Sequence, residues 1–131
     1  MSKWVVVAAL CSGLAVACGG GTGSGVSGSK SLVSLNDGEI NDLCKYIVDV
    51  SGPTRTVDCG GGVKVTLEAQ TVAECVADLK ASQAAAPTCA ATVDHAEACV
   101  EALADFTDAQ LCADTPLPTA CAPLLECGGI M

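Results

Sequence analysis

Apolar residues return at helical spacing in three stretches of this chain. Ile40, Leu43, Cys44, Ile47 and Val48 fall at i, i+3, i+4, i+7 and i+8, the stripe of an amphipathic helix. Asn36 stands where an N-cap belongs, with Glu39 three residues on, and Gly52-Pro53 stops the helix. Thr71 and Glu74 have the spacing of a capping box, and Val72, Cys75, Val76 and Leu79 carry a second helix over 72–84 before Pro87 breaks the chain. Thr92 opens a third over 93–104. Its apolar face holds Val93, Ala96, Cys99, Val100 and Leu103, and its polar face holds Asp94, Glu97, Glu101 and Asp105.

Between the first two helices the period changes. Val63, Val65 and Leu67 alternate with Lys64 and Thr66 after Gly60-Gly61-Gly62, which predicts a small β-hairpin over 54–68. The tail is punctuated by Pro116, Pro118 and Pro123. Thr107 with Gln110 caps one short helical turn there, and 119–127 makes another. The expected fold is mainly α over 32–131: about three helices plus short C-terminal turns, with a minor β-hairpin.

The chain before residue 32 has a different character. Lys3 is followed by residues 4–17, apolar but for Ser12 and Gly13, a run too short for a permanent membrane helix and suited to a signal peptide over 1–17. Its end, Ala15-Val16-Ala17-Cys18, fits an ordinary signal-peptidase site and also resembles a bacterial lipobox with Cys18 as the acylated residue (palmitate included). Residues 19–31 are mostly Gly and Ser, the composition of a flexible linker. Gly23, Gly25 and Gly28 match a dinucleotide fingerprint, but no strand precedes them, so the match is compositional.

Cysteine parity sharpens this division. Cys11 leaves with the signal. Cys44, Cys59, Cys75, Cys89, Cys99, Cys112, Cys121 and Cys127 form an even set inside the domain, and Cys18 is the odd one. Lipidation explains it, with simple secretion as the alternative. Aromatic content is 2%, so the core must be built from aliphatic side chains and cystine. Small exported domains with too little apolar surface are dense in disulfides, and four are expected here. The formal charge is −9, and loss of Lys3 makes it more negative still. Such a surface repels nucleic acid and favours basic partners or cations.

One pairing can be argued from geometry. Helices 72–84 and 93–104, joined by a short loop, should pack as an antiparallel hairpin. Cys75 and Cys99 then lie ~13 and ~9 Å from the loop along their axes. Both stand on the apolar faces, which predicts a Cys75–Cys99 bridge.

Candidate chemistry is sparse. His95, the one histidine, is expected on the solvated side of its helix beside the acidic stripe, with no serine motif around it for catalysis. His95 and Cys99 at i, i+4 could share zinc, but no C-x-x-C pair accompanies them, which also removes a thioredoxin-like role. No calcium-loop sequence exists. Asp94, Glu97, Glu101, Asp105 and Asp108 are foremost a solvated face, with a basic protein or a cation as the partner they would suit. No cofactor is expected.

The cysteine spacings approach the twin C-x9-C pattern of helical-hairpin proteins but miss by one in the second pair. They lack the Cys-Cys and Cys-x-Cys elements of plant lipid-transfer proteins. A fuller resemblance rests on Leu43-Cys44 with Ile47, Cys75-Val76 with Leu79, and Thr92-Val93 with Glu97, Cys99-Val100 and Leu103. Cys121-Ala122-Pro123-Leu124-Leu125 with Cys127 completes it. In these the chain resembles the small cysteine-rich lipoproteins of myxobacteria, over signal, linker and domain. The resemblance implies a fold and carries no functional residue. The expected function is therefore a non-catalytic, lipid-anchored envelope protein acting by binding or as a structural component. It would sit at the outer membrane or on the periplasmic or extracellular face, held through the lipid on Cys18. A secreted carrier of a small apolar ligand is the alternative, favoured if the fold encloses a cavity, and an enzyme is the more distant one.

Overall fold

The computed structural model describes residues 23–128, and each expected helix forms there where its caps place it. Helix α1 spans Asp37–Ser51, α2 Val72–Ala85 and α3 Val93–Ala104, with two short helices, α4 at Asp108–Leu111 and α5 at Ala122–Glu126. Strands β1 (Arg55–Gly60) and β2 (Val63–Leu67) form the hairpin, and 3-10 turns stand at Leu32–Ser34 and Thr119–Cys121. The fold is the small, mainly helical, disulfide-stapled domain that the sequence predicts.

Local chemistry sets these boundaries. The Asn36 side chain accepts from the Glu39 N–H at 3.0 Å while the Asn36 N–H donates to the Glu39 carboxylate at 2.9 Å, a complete capping box. Lys30 donates to the same carboxylate at 2.6 Å, and this ammonium, ahead of the Asn36 N–H, holds the Glu39 carboxyl below its ordinary range. Thr71 with Glu74 and Thr107 with Gln110 repeat the box at α2 and α4. In the hairpin, Gly60, Gly61 and Gly62 all take positive φ, the region that residues with a Cβ avoid. The register pairs Val57 with Val65 and Thr56 with Thr66.

Helix α1 is the centre of the packing and lies against both α2 and α3. Lys80 in the third turn of α2 reaches Asp37 at the start of α1, while the Cys44–Cys75 bridge ties the first turn of α2 to the middle of α1, so the two run antiparallel. Lys30 contacts Glu39 in the first turn of α1, and its carbonyl accepts from Val93 at the first residue of α3. Further along, Tyr46 meets Glu101, so α1 and α3 run parallel. Leu32, Ile40, Leu43, Val93, Cys44, Cys99 and Cys121 are the largest fully buried side chains, and none is aromatic.

Two expectations are corrected by this arrangement. Cys75 and Cys99 are not bonded to each other. The bridges are Cys44–Cys75, Cys59–Cys112, Cys89–Cys127 and Cys99–Cys121. Helix α2 packs on α1 rather than on α3, and the face of α3 that holds Cys99 turns to the 119–121 turn.

The second correction concerns the linker, whose described part, residues 23–31, is folded. The first N–H groups of a helix have no partner within it. Here the Val93 N–H donates to the Lys30 carbonyl at 3.0 Å and the Asp94 N–H to the Gly28 carbonyl at 2.9 Å, so the segment caps α3. Ser31 pairs with Thr92 as a bridge, and the Ser24 N–H donates to Glu97 at 2.8 Å. A Cβ on Gly28 would stand 1.7 Å from Asp94 Oδ1, so this glycine serves close approach rather than flexibility. Residues 1–17 and Cys18 lie outside the described residues.

Candidate functional site

None of the largest fully buried side chains of the core is aromatic. Of the two aromatics beyond the leading segment, Tyr46 is half-buried and donates to Glu101. A cavity of about 670 Å³ lies between the helices and the hairpin. Leu43 and Ile47 of α1, Leu79 of α2, and Val100 and Leu103 of α3 form its inner wall. Leu67 of β2, Phe106 between α3 and α4, and Leu111 of α4 also line it, and the cavity is partly open to solvent. These inner-wall side chains are all apolar, and among the described residues no polar or charged residue is fully buried.

Polar groups gather at the rim. Arg55 and Asp78 are exposed and Gln70 is half-buried. Arg55 is committed to its own neighbours, donating to the Phe106 carbonyl at 3.3 Å and standing 3.5 Å from Asp108. Gln70 donates to Asp78 at 2.9 Å. The size lies within the ~300–1,000 Å³ typical of small-molecule sites, and an apolar interior with a few polar groups at the edge is their usual composition. Chemically the cavity can desolvate an apolar body.

Comparison of the chain with protein-family models, with curated proteins and with solved structures finds no match. The reading of the site therefore rests on its own geometry.

The residues singled out by sequence fall elsewhere. His95 is half-buried rather than solvated, and its Nδ1 accepts from the Thr92 N–H at 3.1 Å as the third residue of the α3 capping box. Among the described residues no group of three His, Cys, Asp or Glu side chains could hold a metal ion, and no helix is long and apolar enough to cross a membrane. The acidic stripe is partly covered: Glu97 accepts from Ser24, Glu101 accepts from Tyr46, and Asp94 abuts Gly28. Only Glu97 of the stripe is half-buried; Asp94, Glu101, Asp105 and Asp108 are exposed. Sequence reasoning did not find the cavity. Its one signal was the scarcity of aromatics together with Ala96 on the buried face of α3.

Tyr46 provides a pH-dependent probe of the α1–α3 contact. Its hydroxyl donates to Glu101, and ionising the phenol would lose that bond and set two negative charges side by side. The Tyr46 pKa is pushed up to about 12, by the Glu101 hydrogen bond first and by burial second. A raised folded pKa contributes stability that is complete below the unfolded value near ~10 and is lost as pH rises toward the folded one. As this is the chain's single tyrosine, an ultraviolet titration should show phenolate forming only near pH 12 in the folded protein. Glu101→Ala should return the midpoint toward the ordinary range, and a wild-type midpoint already there would remove the contact.

Proposed function

We propose that this protein is a non-catalytic binding module of the bacterial cell envelope that takes a small apolar ligand into the cavity between its three helices and its hairpin. The carrying observation is the cavity itself, of ligand size and with an apolar inner wall. It favours the carrier reading over a purely structural role.

The lipid anchor belongs to the same reading. The four bridges use all eight cysteines from Cys44 to Cys127, which leaves none of these as a partner for Cys18. Because folding begins by Gly23, the tether after a lipidated Cys18 is short, at most ~18 Å when fully extended. The domain would then work close to a bilayer, on the outer membrane or the periplasmic or extracellular face of the envelope.

Titration of the oxidised protein with N-phenylnaphthylamine, a neutral apolar fluorophore, tests the binding reading. Saturable enhancement at one probe per protein, reversed by a long-chain alcohol, is expected; a linear, unsaturable response would sink it. The anchor is tested separately by phase partition. Wild-type protein should enter detergent and Cys18→Ser should not mature or should stay aqueous, whereas wholly aqueous wild-type protein would leave secretion as the answer.

A further inference from the structure

The four disulfides differ in exposure and in what they join. Cys44, Cys99 and Cys121 are fully buried, Cys75 and Cys89 nearly so, and Cys127 is half-buried. Cys59 is half-buried and Cys112 is exposed. Cys44–Cys75, Cys89–Cys127 and Cys99–Cys121 each include residues of the continuous core. Cys59–Cys112 lies outside it and joins the hairpin to the end of α4.

Hairpin and α4 together make a flap. Val57, the one buried residue of the hairpin, lies outside the core and borders Ala109 in a small cleft between β1 and α4. Arg55 adds its contacts to Asp108 and to the Phe106 carbonyl. Leu67 and Leu111 on this flap line the cavity, with Phe106 beside them on the α3–α4 connection. Neither part is strong alone: an isolated two-stranded hairpin is marginal, and a helix of one turn does not persist without support.

We propose that Cys59–Cys112 is a redox latch on the ligand cavity. Its reduction by a dithiol releases the hairpin from α4 and opens the cavity to exchange, while the other three bridges keep the core folded. The proposal rests on the binding reading above. The co-reactant is a dithiol reductant, such as an oxidoreductase with two neighbouring thiols. One of its thiolates attacks the Sγ of Cys112, the exposed residue of the pair, the Cys59 Sγ departs as thiolate and takes up a proton, and a mixed disulfide forms. The second thiol of the reductant, deprotonated, attacks that bond and releases Cys112, which is protonated in turn. Two electrons and two protons reach the protein, and the reductant ends as its own disulfide. Access to the attacked sulfur sets the order of reduction, which singles out this bridge.

The test uses the oxidised protein and limiting dithiothreitol, with freed thiols alkylated and mapped by peptide mass. Cys59 and Cys112 should be modified at least ~10-fold faster than the other six cysteines. In the selectively reduced protein, bound N-phenylnaphthylamine should dissociate ~10-fold faster, as release through an opened flap requires. Amides of 55–67 should exchange hydrogen faster while those of α1 and α3 do not change. A Cys59→Ser, Cys112→Ser protein should release the probe at the fast rate with or without reductant. If that variant does not fold, the reduced wild type decides. First reduction of a core bridge overturns the latch. So does selective reduction that changes neither probe release nor hairpin exchange, though binding then stands. A probe that binds neither redox form overturns the binding reading and the latch together.

Discussion

Replacing Cys99 and Cys121 together by alanine is expected to cost the domain ~3–5 kcal/mol. Closing a loop of the 22-residue separation between them is worth about 3 kcal/mol in the chain-entropy model. Both residues are 0% exposed, so their loss also leaves space in the middle of the core. The bridge holds the proline-broken tail against α3, where Leu124 of α5 is buried with it. A loss of 3 kcal/mol corresponds to a fall in Tm of roughly 12–24 °C for a domain of this size. Thermal melts of the double variant under oxidising conditions provide the measurement. A Tm within ~3 °C of wild type would mean that the core does not depend on this bridge.

Val100→Phe is expected to separate stability from binding. Val100 is buried and faces the cavity from α3, one helical turn from both Ala96 and Leu103. A larger side chain pushed into a packed core costs about 1–3 kcal/mol. Where there is space to receive it, filling is neutral or stabilising, by up to about 2 kcal/mol. The variant should keep or raise its Tm while its affinity for N-phenylnaphthylamine falls at least ~10-fold, which is 1.4 kcal/mol of lost binding. The opposite result, a destabilised protein that binds the probe as before, would place the ligand elsewhere.

Most of the local structure was legible in the sequence because local rules decide it. Asn36, Thr71 and Thr92 mark helix starts through hydrogen bonds that span three residues, and Gly60-Gly61-Gly62 marks the turn through φ alone. What was not legible depends on which faces meet. The periodicity put Cys75 and Cys99 on apolar faces correctly, but apolar faces do not name their partners, and the central place of α1 emerges only from packing. Residues 23–31 were hidden differently. Glycine and serine read as a linker by composition, whereas the Gly28 carbonyl accepts from the Asp94 N–H and the Asp94 carboxylate stands where a Cβ on Gly28 would be. The cavity was beyond reach for a related reason. It lies between elements that only the fold brings together, with Leu67 of β2, Phe106 and Leu111 meeting the three helices there.

The apolar surface offers a rival place for a probe to bind, since Val63, Leu117 and Leu125 are exposed. The most direct measurement is therefore an isotope-filtered nuclear Overhauser spectrum of the oxidised protein with one equivalent of N-phenylnaphthylamine. The binding reading predicts contacts from the probe to the methyl groups of Leu43, Leu79, Val100 and Leu103. Contacts confined to Val63, Leu117 and Leu125, with the cavity methyls unperturbed, would contradict it.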